Sequence, residues 1–301
     1  MLRSLYSGVS GLKNHQTKMD VIGNNIANVN TVGFKSSRVT FQDIYNQTVR
    51  PASAPSAGSG GVNPQQVGLG VSLGTIEVQH TRTATEYTGN ALDLSVEGDG
   101  FLVVKDNGVP YYTRAGNLTT DANNNLVNAN GLKLQGWMSG MVDTTGTING
   151  STTNPVTEAQ FQAWLQTNPA NADALLSDIN IPDNYYDVNI GKTGEIIGIN
   201  KTTSVKETIG RLAIADFNNQ AALSKMGNNL YDQNQNTGAA SYGFAGVNGT
   251  SYLNPNSLEM SNVDLAKEFT DMITTQRGFQ ANSRIITTSD QLLEELVNLK
   301  R

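Results

Sequence analysis

Cysteine is absent from the 301 residues, which excludes disulfides, thiolate metal sites and cysteine nucleophiles. Histidine is scarce, with His15 and His80 the two examples. A His-based metal site needs further ligands at suitable spacing, and neither histidine has them. No apolar run approaches the roughly 20 residues of a membrane span. No Lys/Arg cluster stands out against a net charge of −6, so neither phosphate neutralisation nor polybasic membrane attachment has a basis. The expected partners therefore include no nucleic acid and no membrane span. The N-terminal stretch MLRSLYSGVSGLKNHQ lacks a continuous apolar core and does not read as a secretory signal. What is abundant is Gly, at 30 residues, with Asn, Thr and Ser, while hydrophobic residues make up 38%. That mix suits short strands joined by many turns, in one large or two modest cores.

The two ends differ from the middle. Leu2, Leu5, Val9, Leu12, Met19 and Ile26 fall at alternating steps of three and four, with Gln16 and Gly23 at the interrupted places and Ile22 widening the stripe. This is a heptad-like seam, and it predicts a helix over residues 2–28. Leu258, Leu265, Phe269, Met272, Phe279, Ile286, Leu293 and Val297 form a second seam, interrupted at Asn262, Gln276, Ser283 and Asp290 and flanked by Ile273, Ile285, Leu292, Leu296 and Leu299. Ser261 is the expected N-cap of this second helix, with Asp264 in its first turn. A long amphipathic helix alone is marginal in water, so each is expected to pack on the other or on further copies of the chain.

The middle reads as β. LDLSVEGDGFLVV, beginning at Leu92, alternates and then becomes continuously apolar, and Asn107-Gly108 supplies the positive φ of a hairpin turn. Further strands are expected at Val188–Ile190, Glu195–Ile199 and Gly210–Phe217, with turns at Asn123–Asn125 and Asn130-Gly131. The predicted fold class is a mainly β, antiparallel, sandwich- or barrel-like centre with long terminal α-helices that pair as a coiled coil on assembly. The expected divisions are 1–71 (helix and linker), 72–140 and 185–257 (two halves of the β domain), 141–184 (a small insertion with a short helix at Thr157–Gln166) and 258–301 (assembly helix). Pro51–Pro64 reads as an extended or flexible linker. No catalytic constellation is evident. Gly98-Asp99-Gly100 runs straight into Phe101, so a turn before a strand outweighs a calcium loop, and the carboxylates at Asp290, Glu294 and Glu295 read as a solvated helix face. The chain is expected to be neither an enzyme nor a holder of metal or cofactor.

GNNIANVNTVGFKSSRVTF (Gly23–Phe41), NALDLSVEGDGFLVV (Asn90–Val104) followed by YTRAGNL (Tyr112–Leu118), and the stretch from Ser261 to Arg301 together resemble the bacterial flagellar rod and hook axial proteins, in the family's order and over nearly the whole chain. The tail QRGFQANSRIITTSDQLLEELVNLKR and GGVNPQQVGLGV (Gly60–Val71) look nearer to hook proteins than to distal rod proteins, although the insertion is shorter than in long hook proteins. The resemblance implies export by the flagellar type III apparatus and helical polymerisation with copies of itself. It implies a place in the hook or basal body outside the cell, and neighbours among the rod, hook-cap and hook–filament junction proteins. For a hook the work is mechanical, and Pro51–Pro64 is then the candidate compliant joint. The residues expected at the self-assembly surface are Leu2, Leu5, Val9, Leu12, Met19, Ile22, Ile26, Asn24, Asn25, Asn28, Gly33, Phe34, Leu265, Phe269, Met272, Ile273, Phe279, Ile286, Leu293 and Val297. Asn24, Asn25, Asn28 and Asn30 are expected to cap the first helix and shape the turn after it, with Gly33 and Phe34 anchoring the departing chain. A distal rod subunit is the nearest alternative, and a secreted enzyme or carbohydrate-binding β domain the third.

Overall fold

The computed structural model describes residues 2–55, 60–138, 176–246 and 251–299. The expected helix at Thr157–Gln166 and most of the expected insertion lie outside the described residues. The chain divides into two compact units: unit 1 comprises 1–29, 36–79 and 263–301, and unit 2 comprises 30–35 and 80–262. The boundary at 79/80 replaces the expected one at 71/72, because residues 36–79 pair among themselves beside the helices.

In unit 1, helix α1 (Leu2–Ala27) and helix α2 (Leu265–Asn298) account for both predicted terminal helices. At 34 residues, α2 is about 51 Å long at 1.5 Å per residue. Its N-cap is Asp264, not Ser261: the Asp264 carboxylate accepts from the amides of Ala266 (2.9 Å) and Lys267 (3.3 Å). Leu258, expected on the helical seam, lies instead in a strand, Ser257–Glu259. Two antiparallel ribbons complete the unit, the first pairing β1 (Ser37–Asp43) with β4 (Val71–Val78), the second β2 (Asn46–Arg50) with β3 (Gln65–Gly68). The Pro51–Pro64 stretch therefore closes the β2–β3 ribbon, with a Ser53–Val62 bridge inside it. Its two ends are tied to adjacent strands, so it does not bridge the two units, and the joint expected there is misplaced.

Unit 2 is antiparallel β throughout its described strands, as expected. Its main sheet runs, in spatial order, through residues 185–190, 195–200, 206–212, 133–138, 101–106, 109–113, 230–232 and 224–227. Asp106 pairs with Val109, leaving a two-residue loop in which Asn107 (φ 47°) and Gly108 (φ 93°) are both left-handed. The continuous apolar run Phe101–Val104 has a structural cause, since this strand is buried on both faces. Leu102 and Val104 join an aliphatic core with Leu94, Leu134, Ile196 and Leu212. Phe101 and Val103 join an aromatic core with Tyr112, Trp137, Phe217 and Phe244. Residues 177–178 pair with 135–136 and Ile179 and Ile181 are buried in the aliphatic core, so this end of the expected insertion belongs to the β unit.

Candidate functional site

The two helices of unit 1 pack antiparallel. A Cβ on Gly8 would lie 3.3 Å from Ile286 Cγ1, one on Gly11 2.6 Å from Asn282 Nδ2, and one on Gly278 2.7 Å from His15 Nε2. At the other end Asn25 Nδ2 donates to Glu268 Oε1 (3.1 Å). On α2 the covered positions include Met272, Thr275, Phe279, Asn282, Ile286, Ser289 and Leu293, at alternating steps of three and four. Met272, Phe279, Ile286 and Leu293 are the apolar residues expected from sequence. Thr275, Asn282 and Ser289 are small or polar, at positions the predicted seam skipped. On α1 the facing residues are Gly8, Gly11, His15, Ile22 and Asn25, one position away from most of the predicted stripe. Small side chains there let the two backbones approach closely, and hydrogen bonding satisfies Asn25 at the seam's end.

Residues predicted for assembly therefore sort into three groups. Ile22, Met272, Phe279, Ile286 and Leu293 lie in or beside the helix–helix seam, and Leu5, Leu12, Met19 and Ile26 are half-buried. Val9, Leu265, Phe269 (50%), Ile273 (58%) and Val297 (68%) are exposed. Ile285, Leu292, Leu296 and Leu299 are exposed as well, so α2 carries uncovered apolar side chains on both flanks of the seam. Leu2 lies in α1. The third group does not reach an open surface. Gly33 and Phe34 are buried in unit 2, where the Gly33 amide donates to the Glu259 carbonyl (2.8 Å) and Lys225 Nζ sits 4.5 Å over the Phe34 ring.

The asparagines divide as well. Asn28 Nδ2 donates to the Asn24 carbonyl (2.9 Å) at the end of α1. Asn25 has a different role from the expected cap: it is buried, donates to the Ser37 carbonyl (2.9 Å) and accepts from the Ser37 amide (3.0 Å), tying α1 to β1. Gln16 and Gln276, two of the polar interruptions of the predicted seams, are exposed.

Sequence reasoning missed the ribbons. Phe41, Ile44, Tyr45, Val49, Val67, Leu73 and Ile76 are all exposed, and both β2 and β3 are uncovered along their whole length. A two-stranded ribbon is marginal by itself. The alternation Val39, Phe41 facing Leu73, Ile76 was the available signal.

Neither histidine sits on a metal-binding arrangement, and the described residues hold no cluster of three metal-ligating side chains. No described helix is long and apolar enough to cross a membrane. His80 is packed among aromatic rings. Its ring packs edge-on to Phe101 (5.4 Å) and Tyr231 (5.5 Å), and burial, reinforced by the nearby cations Arg114, Lys35 and Lys225, pushes its pKa down to about 3. The unfolded chain thus takes up a proton below the ordinary value of 6.5 while the folded one does not until about pH 3. Stability is expected to fall as pH drops through that window, by up to about 4 kcal/mol from this group alone. Melting wild type and His80→Phe at a series of pH values checks this. The variant should show a shallower fall between pH 6.5 and pH 3, and parallel curves would refute it.

Three sequence families match the chain: one described as flagella basal body rod protein over residues 5–35, one as flagellar hook protein FlgE/F/G D1 domain over 95–198, and one as flagellar basal body rod FlgEFG protein C-terminal over 254–299. The flagellar basal-body rod protein FlgG of Bacillus subtilis is 45% identical over 302 residues, covering 100% of both chains. The flagellar hook protein FlgE of Borreliella burgdorferi is 33% identical over an alignment of 442 residues, also covering 100% of both. The FlgG of Agrobacterium fabrum is 31% identical over 97% of each.

Proposed function

The chain belongs to the flagellar hook and basal-body rod protein family, a structural and non-enzymatic one, and we propose that within it this protein is a subunit of the distal rod. The observation that carries the choice is the match to a rod protein at 45% identity over 302 residues, end to end. The hook relatives align at 33% and 31% over 442 and 464 residues, longer than this chain's 301, so they hold sequence this chain lacks. The hook reading taken from the tail motif gives way to the rod on this ground.

Mechanically, the proposed subunit polymerises into a helical tube. The exposed apolar side chains of α2 and the exposed ribbons of unit 1 supply the surfaces buried between copies, at about 25 cal/mol per Å² removed from water. Its further neighbours are the adjoining rod and hook proteins. It reaches its place through the flagellar export apparatus. Electron microscopy of basal bodies from a strain deleted for this gene tests the reading. Rods truncated short of the hook are the expected result. Complete rods lacking hooks would return the assignment to the hook.

A further inference from the structure

Four peptide bonds carry the chain between the two units, at 29/30, 35/36, 79/80 and 262/263. On the unit 2 side, residues at or near three of these crossings meet in one buried polar cluster. Lys35 and Glu259 are 0% and 2% exposed and lie 2.5 Å apart (Nζ to Oε1). Lys35 Nζ also donates to the Thr81 carbonyl (2.7 Å). Thr83 Oγ1 reaches Glu259 Oε1 (3.2 Å) and the Met260 carbonyl (2.8 Å), and Asn262 Nδ2 donates to Thr81 Oγ1 (2.9 Å). Arg114, 1% exposed, sits 3.6 Å from Glu259 Oε1 and 5.0 Å over the Phe101 ring. Backbone bonds follow the same pattern: Gly33 amide to Glu259 carbonyl (2.8 Å), Met260 amide to Ala84 carbonyl (3.2 Å) and Asn262 amide to Phe34 carbonyl (3.4 Å).

Two features set this cluster apart from ordinary core packing. Removing three ionised groups from water is costly, and apolar side chains of similar volume often give equal or greater stability. The groups also come from distant parts of the sequence, with Lys35 and Glu259 separated by 224 positions, and these two each stand within a few residues of a crossing. A buried charge accepts few alternative arrangements, because any slip leaves it unpaired. Apolar contacts tolerate such slips.

We propose that the Lys35–Glu259–Arg114 cluster is a clasp that holds the entering and leaving segments of unit 2 in a single register, a positioning role separate from the stability of the sheet. Lys35 and Glu259 are the positioning residues, and Arg114 places a second cation 3.6 Å from Glu259 Oε1. Residues 30–35 lead from α1 and residues 260–262 lead to α2, so the clasp makes the departure points of both helices depend on a closed unit 2. The inference concerns unit 2 alone and holds whether the polymer is rod or hook.

The test uses the full-length chain carrying K35M, R114M and E259M together, followed by thermal melting and amide hydrogen exchange resolved by segment. The expected result is melting within a few degrees of wild type, with exchange in 30–36, 80–84 and 257–263 faster by about tenfold or more and exchange in the 101–113 hairpin unchanged. Unchanged protection in the three segments would overturn the proposal. Should the triple variant fail to fold, E259Q is read in the same way. If there too the hairpin loses protection together with the segments, the cluster is an undivided part of the core and the clasp is refuted.

Discussion

A chain carrying Phe269→Gln and Ile273→Gln is expected to fold, melt like wild type and fail to polymerise at concentrations where wild type assembles. Both positions lie on the side of α2 turned away from α1, at 50% and 58% exposure. The seam runs instead through Met272, Thr275 and Phe279. Glutamine is a good helix former and adds no charge beside Glu268 and Asp271, so the monomer loses little. In the polymer each replacement forfeits the burial of a large side chain, about 1.5–3 kcal/mol apiece. Together they raise the critical concentration by roughly a hundredfold or more. Sedimentation of the two proteins across a concentration series reads this directly. Assembly at the wild-type concentration would place the growing interface elsewhere on unit 1, with the ribbons the next surface to vary.

The second large effect is expected from Gly116→Ala. Gly116 is buried in the segment joining the strand at 109–113 to Leu118, and its carbonyl accepts from the Leu94 amide (3.0 Å). A Cβ at this position would overlap the Leu94 carbonyl oxygen, well inside van der Waals contact. Because the obstructing atoms are backbone, no rotamer change relieves the overlap. The strand at 94–97 must move, and it carries Leu94 and Val96 of the aliphatic core. The expected loss is about 3 kcal/mol or more, a fall of roughly 6–12 °C in the melting temperature for a unit of this size. A melt within about 2 °C of wild type would mean that the segment relaxes freely and that the glycine is not required there.

Local chemistry is legible in the sequence. The helical period at both ends, the Asn107-Gly108 turn and the doubly buried run at Phe101–Val104 depend on neighbours a few residues apart, and each appears where the pattern places it. The start of α2 shows where such reading stops. Ser261 and Asp264 are both good capping residues, and only the hydrogen bonds to Ala266 and Lys267 distinguish them.

By itself the sequence determined that both ends are helices with an apolar stripe, that the centre is antiparallel β, and that the chain belongs among axial flagellar proteins. The tertiary structure decided which face of each helix meets the other. The seam within the chain draws on Gly8, Gly11, Thr275, Gly278, Asn282 and Ser289, residues a hydrophobic pattern does not register, and close backbone approach makes them favourable there. That leaves part of the apolar stripe facing outward. Long-range pairing was equally invisible. Nothing near Lys35, Glu259 or His80 in the sequence signals their burial, because that burial depends on segments brought together from distant parts of the chain. No local rule of spacing encodes such a contact.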